Sequence, residues 1–259
     1  GMAAASLGEF DRSRAALEEA AEIVQRTNRP YDIVACSYCH GILLVSSGRT
    51  SEAIKQFREA LDLSREYSIN LFIPLIVGQL GAALTLVGSH VQAASLLERV
   101  VRESELLGHN IGTVFANYAL AAAYKVAGRV EESLALAETC LENARRHGFQ
   151  GVEARLLLLL GTLQMASAKP DVATAESFVK SSIDLARSLS ALPNVAQGQL
   201  ALADIWVKAG KPEEAIEAID SAKHLFDAIG FHKLPDDVSR LLLECAPNGF
   251  GTDSLSRAV

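Results

Sequence analysis

The chain is short of the residue types that carry most chemistry. Four cysteines without framework spacing exclude a disulfide-stapled scaffold and suit a reducing compartment. Aromatic residues make up only 6%, which fits close-packed helices better than a sheet. Basic residues are outnumbered, 24 Lys and Arg against 31 Asp and Glu, for a formal charge of −7. With no basic stripe, this argues against nucleic acid and against anionic membranes as partners. No apolar run approaches the roughly 18 to 20 residues needed to span a bilayer. The N-terminus, GMAAASLGEF, lacks the basic and long apolar regions of a signal peptide, so the expected location is the cytoplasm. Missing too are G-x-x-x-x-G-K-[ST], G-x-S-x-G and H-E-x-x-H. Paired carboxylates such as Glu131–Glu132 and Glu213–Glu214 fall on outer helix faces. No catalytic residue, cofactor or metal site is expected.

What is present is a beat. Gly8, Gly48, Gly88, Gly128 and Gly210 recur at about 40 residues, with Pro170 at the matching place of one unit that is two residues longer. Asn28, Ser68, Gly108, Gly148, Ser190 and Gly230 form a second series with the same slip. Glycine and asparagine end helices in the left-handed conformation, and a fixed period near 40 marks an array of helix pairs. Small residues recur on the first helix at Gly41, Gly81, Ala121, Gly161 and Ala203. Three positions on stand Leu44, Leu84, Tyr124, Gln164 and Trp206, a large series that Gln164 breaks, with Leu163 and Met165 beside it to fill the groove. Second helices carry small Ser13, Ala53, Ala93, Ser133, Ala175 and Ala215, and four residues later Leu17, Phe57, Leu97, Ala137, Val179 and Ile219. Small residues let helices approach while large ones fill the grooves.

This small–large alternation resembles the tetratricopeptide repeat, in a unit about six residues longer than the usual 34. The resemblance implies an all-α solenoid, a right-handed superhelix of antiparallel helix pairs. The expected organisation is one solenoid over residues 1–245, with a lone helix at 9–27 and units at about 30–67, 70–107, 110–147, 150–189 and 193–229. A capping helix at 235–245 and a tail at 246–259 complete it. The array thus begins mid-repeat, and the first helix is expected to display Leu17, Ala20 and Val24. Self-association to a homodimer through that N-terminal end is the corresponding expectation.

Two groups of residues invite a functional reading. Cys36-Ser37-Tyr38-Cys39-His40 spells the C-x-x-C-H of haem attachment, but it falls mid-helix in phase with packing positions. The reading favoured is two buried thiols and a histidine in a slot that holds Leu80, Leu120, Leu160 and Leu202 elsewhere. In tetratricopeptide arrays the first helices line the concave face. The resemblance places Ala35, Tyr38, Ile42 and Val45 there, then Phe115, Tyr118, Ala122 and Lys125, then Arg155, Leu158, Thr162 and Met165. Tyr38, Ile42, Phe115, Tyr118 and Leu158 would hold an apolar peptide or protein segment, and Lys125 and Arg155 an acidic group. The alternative is that the same residues touch one another and fill the groove.

The stretch GVEARLLLLLGTLQMASAKPDVATAESFVKSSIDLARSLSA, followed by VAQGQLALADIWVKAGKPEEA, resembles the C-terminal repeats of large bacterial cyclase- and ATPase-type signalling regulators. The likeness covers roughly residues 110–245. It implies a non-catalytic protein-interaction or regulatory module. A small-ligand sensor arm and a free-standing adaptor are the alternatives.

Overall fold

The computed structural model describes residues 7, 9–105, 111–230 and 236–245. Among them every regular element is helical. Helix α1 spans Phe10–Thr27, α2 Pro30–Ser46, α3 Thr50–Glu66, α4 Ile73–Leu86, α5 His90–Glu105 and α6 Ile111–Val126. Then follow α7 Val130–Arg146, α8 Gln150–Ala166, α9 Val172–Ser188, α10 Leu192–Lys208, α11 Pro212–Ala228 and α12 Asp236–Cys245. A 3-10 turn over Asn70–Phe72 precedes α4, a feature the periodicity does not announce. Gly8, Gly108, Pro235 and the tail at 246–259 lie outside the described residues.

The beat is a beat of left-handed residues. Gly48, Gly88, Gly128, Gly148, Gly210 and Gly230 have φ between 69° and 81°. Asn28, Ser68 and Ser190 take the same conformation at φ 48°, 56° and 55°. At most of them the next N–H reaches back across the turn, as Arg49 N–H does to Leu44 O at 2.8 Å and Arg129 N–H to Tyr124 O at 2.9 Å. Carbonyls that the helix end leaves unpaired are satisfied in this way. Pro170 cannot adopt a positive φ, and the chain there takes another route. It leaves α8 extended at Ser167 and enters α9 through Asp171, whose carboxylate accepts from Thr174 N–H at 3.2 Å and from Thr174 Oγ1 at 2.6 Å.

The first helices of the pairs, α2, α4, α6, α8 and α10, form an inner layer, and α3, α5, α7, α9 and α11 an outer one. Outer helices pack on the inner helices that flank them, and successive inner helices also touch. The close approach within a pair uses the small inner position. A Cβ on Gly41 would lie 2.3 Å from Phe57, one on Gly81 2.5 Å from Leu97, and one on Gly161 2.5 Å from Val179. Ala121 and Ala137 meet the same demand with two small residues, both fully buried. Gln164 is half-buried, and Leu163 fills the space with no exposed surface where Ala83 and Ala123 stand in other units. The volume has moved by one residue along the helix.

The serines of the small outer position differ in one respect. Ser133 Oγ donates to Ala121 O at 2.6 Å. Ser13, equally buried, has no hydrogen-bond partner for its Oγ among the described residues.

Two expectations need correction. Leu17 is buried, not displayed, and Ala20 and Val24 are half-buried. The apolar side chain that α1 does present is Ile23, 46% exposed. His40 is exposed, and Cys36 and Cys39 are half-buried. A polar ring in the leucine slot turns outward towards charge, because burying it unpaired is costly. It lies near Glu52, whose carboxyl is held below its usual range first by the Arg49 hydrogen bond and secondarily by His40.

Candidate functional site: the inner face

The inner stripe is built by helix periodicity, every third or fourth residue of each first helix pointing to one side. Tyr38 stands on α2, Phe115 and Tyr118 on α6, Arg155 and Leu158 on α8; the fold brings Phe115, Tyr118 and Arg155 together, while Tyr38 packs on Phe57 and Phe72. Tyr38 is only 6% exposed. Its ring lies 5.9 Å from Phe72 and 6.4 Å from Phe57, and its hydroxyl is hydrogen-bonded to Gln79. Burial pushes the phenol up to about 12, and the Arg155 charge, three units further along, acts on it in the opposite direction.

Phe115 is also buried. Its ring sits 2.6 Å from where a Cβ on Gly78 would be, 5.8 Å from Tyr118, and 5.7 Å beneath the Arg155 guanidinium. Gly78 is what lets α4 and α6 come close enough for this. Ile42, Tyr118 and Leu158 are half-buried. Lys125 Nζ donates to Thr162 Oγ1 at 2.7 Å, and that hydroxyl donates onward to Leu159 O at 2.8 Å. Tyr38 and Phe115 therefore belong to the wall. The surface that remains open is formed by Ile42, Tyr118, Lys125, Arg155 and Leu158.

The stripe also runs one turn further than the residue pattern above. Tyr31, Leu71 and Ile111 stand four positions before Ala35, Leu75 and Phe115, at 49%, 59% and 49% exposure. Tyr31 is steadied by an edge contact with Phe72 at 5.3 Å. They form an apolar ledge along the starts of three inner helices. The signal was present, since the three share one offset, but Gly151 ends the series at the next unit.

At the far end α12 packs on α10 and α11. Val238, Leu241 and Cys245 are buried, and Arg240 reaches Asp204 of α10 at 3.1 Å. Asp204 also holds Lys208 at 2.6 Å, so the last inner-face carboxylate is fully engaged. Among the described residues no cluster of three or more His, Cys, Asp or Glu has the geometry to hold a metal ion. No helix of the described residues is long and apolar enough to cross a membrane.

The fold is that of the tetratricopeptide-repeat solenoids. A Rap protein complexed with Competence and Sporulation Factor superposes with a TM-score of 0.71 at 16% identity, over 93% of this chain and 73% of that one. NprR in complex with its cognate peptide NprX gives 0.64 at 18% identity, over 90% and 65%. A signal transduction ATPase with numerous domains and a tetratricopeptide repeat sensor, from Pyrococcus horikoshii, gives 0.55 at 17% identity, over 92% of this chain and 37% of that one. No family model matches the sequence, and no curated protein matches it in sequence.

Proposed function

We propose that the chain is a non-catalytic regulatory module that binds a peptide or protein segment on its inner face. The observation that carries this reading is Arg155. Its guanidinium is half-buried over the Phe115 ring and has no carboxylate partner among the described residues. A cation held on an aromatic wall, with Tyr118 and Leu158 beside it, suits a segment that offers a carboxylate next to an apolar side chain. The Rap and NprR structures, each determined with a bound factor or peptide, support the reading. Panning a displayed random dodecapeptide library on the chain tests it. Enriched peptides should lose binding to Arg155→Glu and to Leu158→Glu, each with an unchanged thermal transition. If none is enriched, or if the variants bind all of them equally, the reading fails.

We further propose that this module serves as an arm of a larger bacterial signalling protein acting in the cytoplasm. The sequence likeness over residues 110–245 supports this, as does the similarity to the repeat sensor of the signal transduction ATPase. A sensor of small ligands in place of a peptide would show itself in a thermal-shift screen of metabolites, since a ligand specific for the native state raises the transition.

A further inference from the structure

A second surface lies on the opposite side of the array. Outer helices rest on the inner helices between them, so a groove opens between each consecutive outer pair. Between α3 and α5 it encloses about 250 Å³, less than the roughly 300–1,000 Å³ of small-molecule pockets. Its floor is apolar, formed by buried Leu61, Leu80 and Leu84 with half-buried Leu96. Its rim carries three exposed guanidiniums, Arg58, Arg65 and Arg99. The only carboxylate lining it is Asp62, 4.0 Å from Arg65. Arg58 and Arg99 take part in no ion pair among the described residues. In a chain of net charge −7 this is a local excess of positive charge beside an apolar floor.

Two of the three equivalent grooves further along, all but the one where Gln164 stands, are filled by the chain itself. Between α5 and α7 the space is filled from within by Tyr124, at the position of Leu84. The Tyr124 hydroxyl donates to Glu98 at 2.8 Å, and the Arg129 guanidinium lies 3.8 Å over its ring and 3.1 Å from the same Glu98 oxygen. Between α9 and α11 Trp206 stands there, its indole N–H donating to Glu176 and Lys180 Nζ 6.0 Å over its ring. In both grooves a large side chain, a carboxylate and a cation meet. The groove between α3 and α5 has the cations but no aromatic filler and no carboxylate at the Glu98 position, because Leu84 replaces the aromatic, Arg58 stands where Glu98 does one unit later, and Asp62 pairs with Arg65.

We propose that this outer groove docks an acidic protein segment in which a leucine or aromatic side chain lies between carboxylates. The partner supplies what Tyr124 and Glu98 supply in the next unit. A short segment senses the field of the nearby arginines, since charges beyond about 10 Å are screened at ordinary salt. A long polyanion such as nucleic acid would meet the acidic remainder of the surface.

A fluorescent peptide with one central tryptophan flanked by two glutamates on each side tests this by anisotropy. It should bind saturably, and more weakly as salt rises from about 50 to about 300 mM. Replacing its glutamates by glutamines should weaken binding about tenfold or more. Arg58→Glu with Arg99→Glu should do the same, and so should Leu84→Tyr, which fills the groove from within at unchanged charge. Arg155→Glu, on the inner face, should leave this binding intact. The proposal is overturned if binding is not saturable, if the glutamine peptide binds equally, or if only Arg155→Glu weakens it.

Discussion

The Phe57 ring occupies the space that a side chain on Gly41 would need, with 2.3 Å between its Cε1 and a Cβ placed there. A ring edge cannot swing away as a long chain end can. Alanine at Gly41 should therefore destabilise the protein by about 1–3 kcal/mol from overpacking, less a helix-propensity gain of at most about 1 kcal/mol. Gly151, also helical, has open space around its Cα. Gly151→Ala should stabilise by roughly 0.5–1 kcal/mol. Urea unfolding of both variants checks the pair, and equal effects would refute the packing account.

Ser13 and Ser133 occupy one repeat position with opposite hydrogen-bonding fates. Ser133→Ala removes a buried bond to Ala121 O, an acceptor that its own helix still pairs, and should cost about 0.5–1.5 kcal/mol. Ser13→Ala removes a buried hydroxyl with no partner among the described residues and should be neutral or stabilising by up to about 1 kcal/mol. Denaturant midpoints that move in the same direction would contradict the assignment.

Ser68 and Ser190 hold positive φ without being glycine. Glycine at either site should relieve left-handed strain and add roughly 0.5 kcal/mol net of its own entropy cost. The two gains should sum, because the sites lie far apart. Gly48→Ala, at φ 75°, should lose about 1 kcal/mol. Thermal melts of the single and double variants provide the measurement.

Tyr38 titrates from a reference near 10.0 in the unfolded chain to about 12 in the fold because burial disfavours the phenolate. Its contribution is fully present below pH 10 and fades as pH rises through 12. Cys140, pushed up to about 12 by burial, fades in the same direction. The stability gap between the natural protein and Tyr38→Phe isolates the tyrosine and should narrow between about pH 9 and about pH 11.5. A gap constant over that range would place the hydroxyl in water.

The architecture was readable because its determinants are local and repeated. A left-handed terminator and a small residue opposite a large one leave the same mark in every unit, as Gly48 and Gly88 or Gly41 and Gly81 do. The inner face was only partly readable. Tyr38 and Phe115 lie at lining positions, yet their burial depends on Phe72 of the following unit and on Gly78 of the preceding one, and no single repeat reveals such contacts. The outer groove was not readable at all. It exists because Leu84 is smaller than Tyr124 and Trp206, a difference in volume within a series that only Gln164 breaks. His40 departs from the pattern for a related reason: the slot tolerates outward rotation where Glu52 offers charge.

The Ser167–Asp171 link shows where this chain accepts a change of length. Two extra residues fit there because an extended segment and a side-chain cap take over from the left-handed turn, and α8 and α9 keep the same length of 17 residues. One residue inserted within a helix would instead rotate every following side chain by about 100°, turning inner positions outward. Insertions and deletions should therefore survive only between helices. A loop or tag placed after Ser167 should be carried without loss of fold, which makes that link the natural site for a fluorophore or a fused domain.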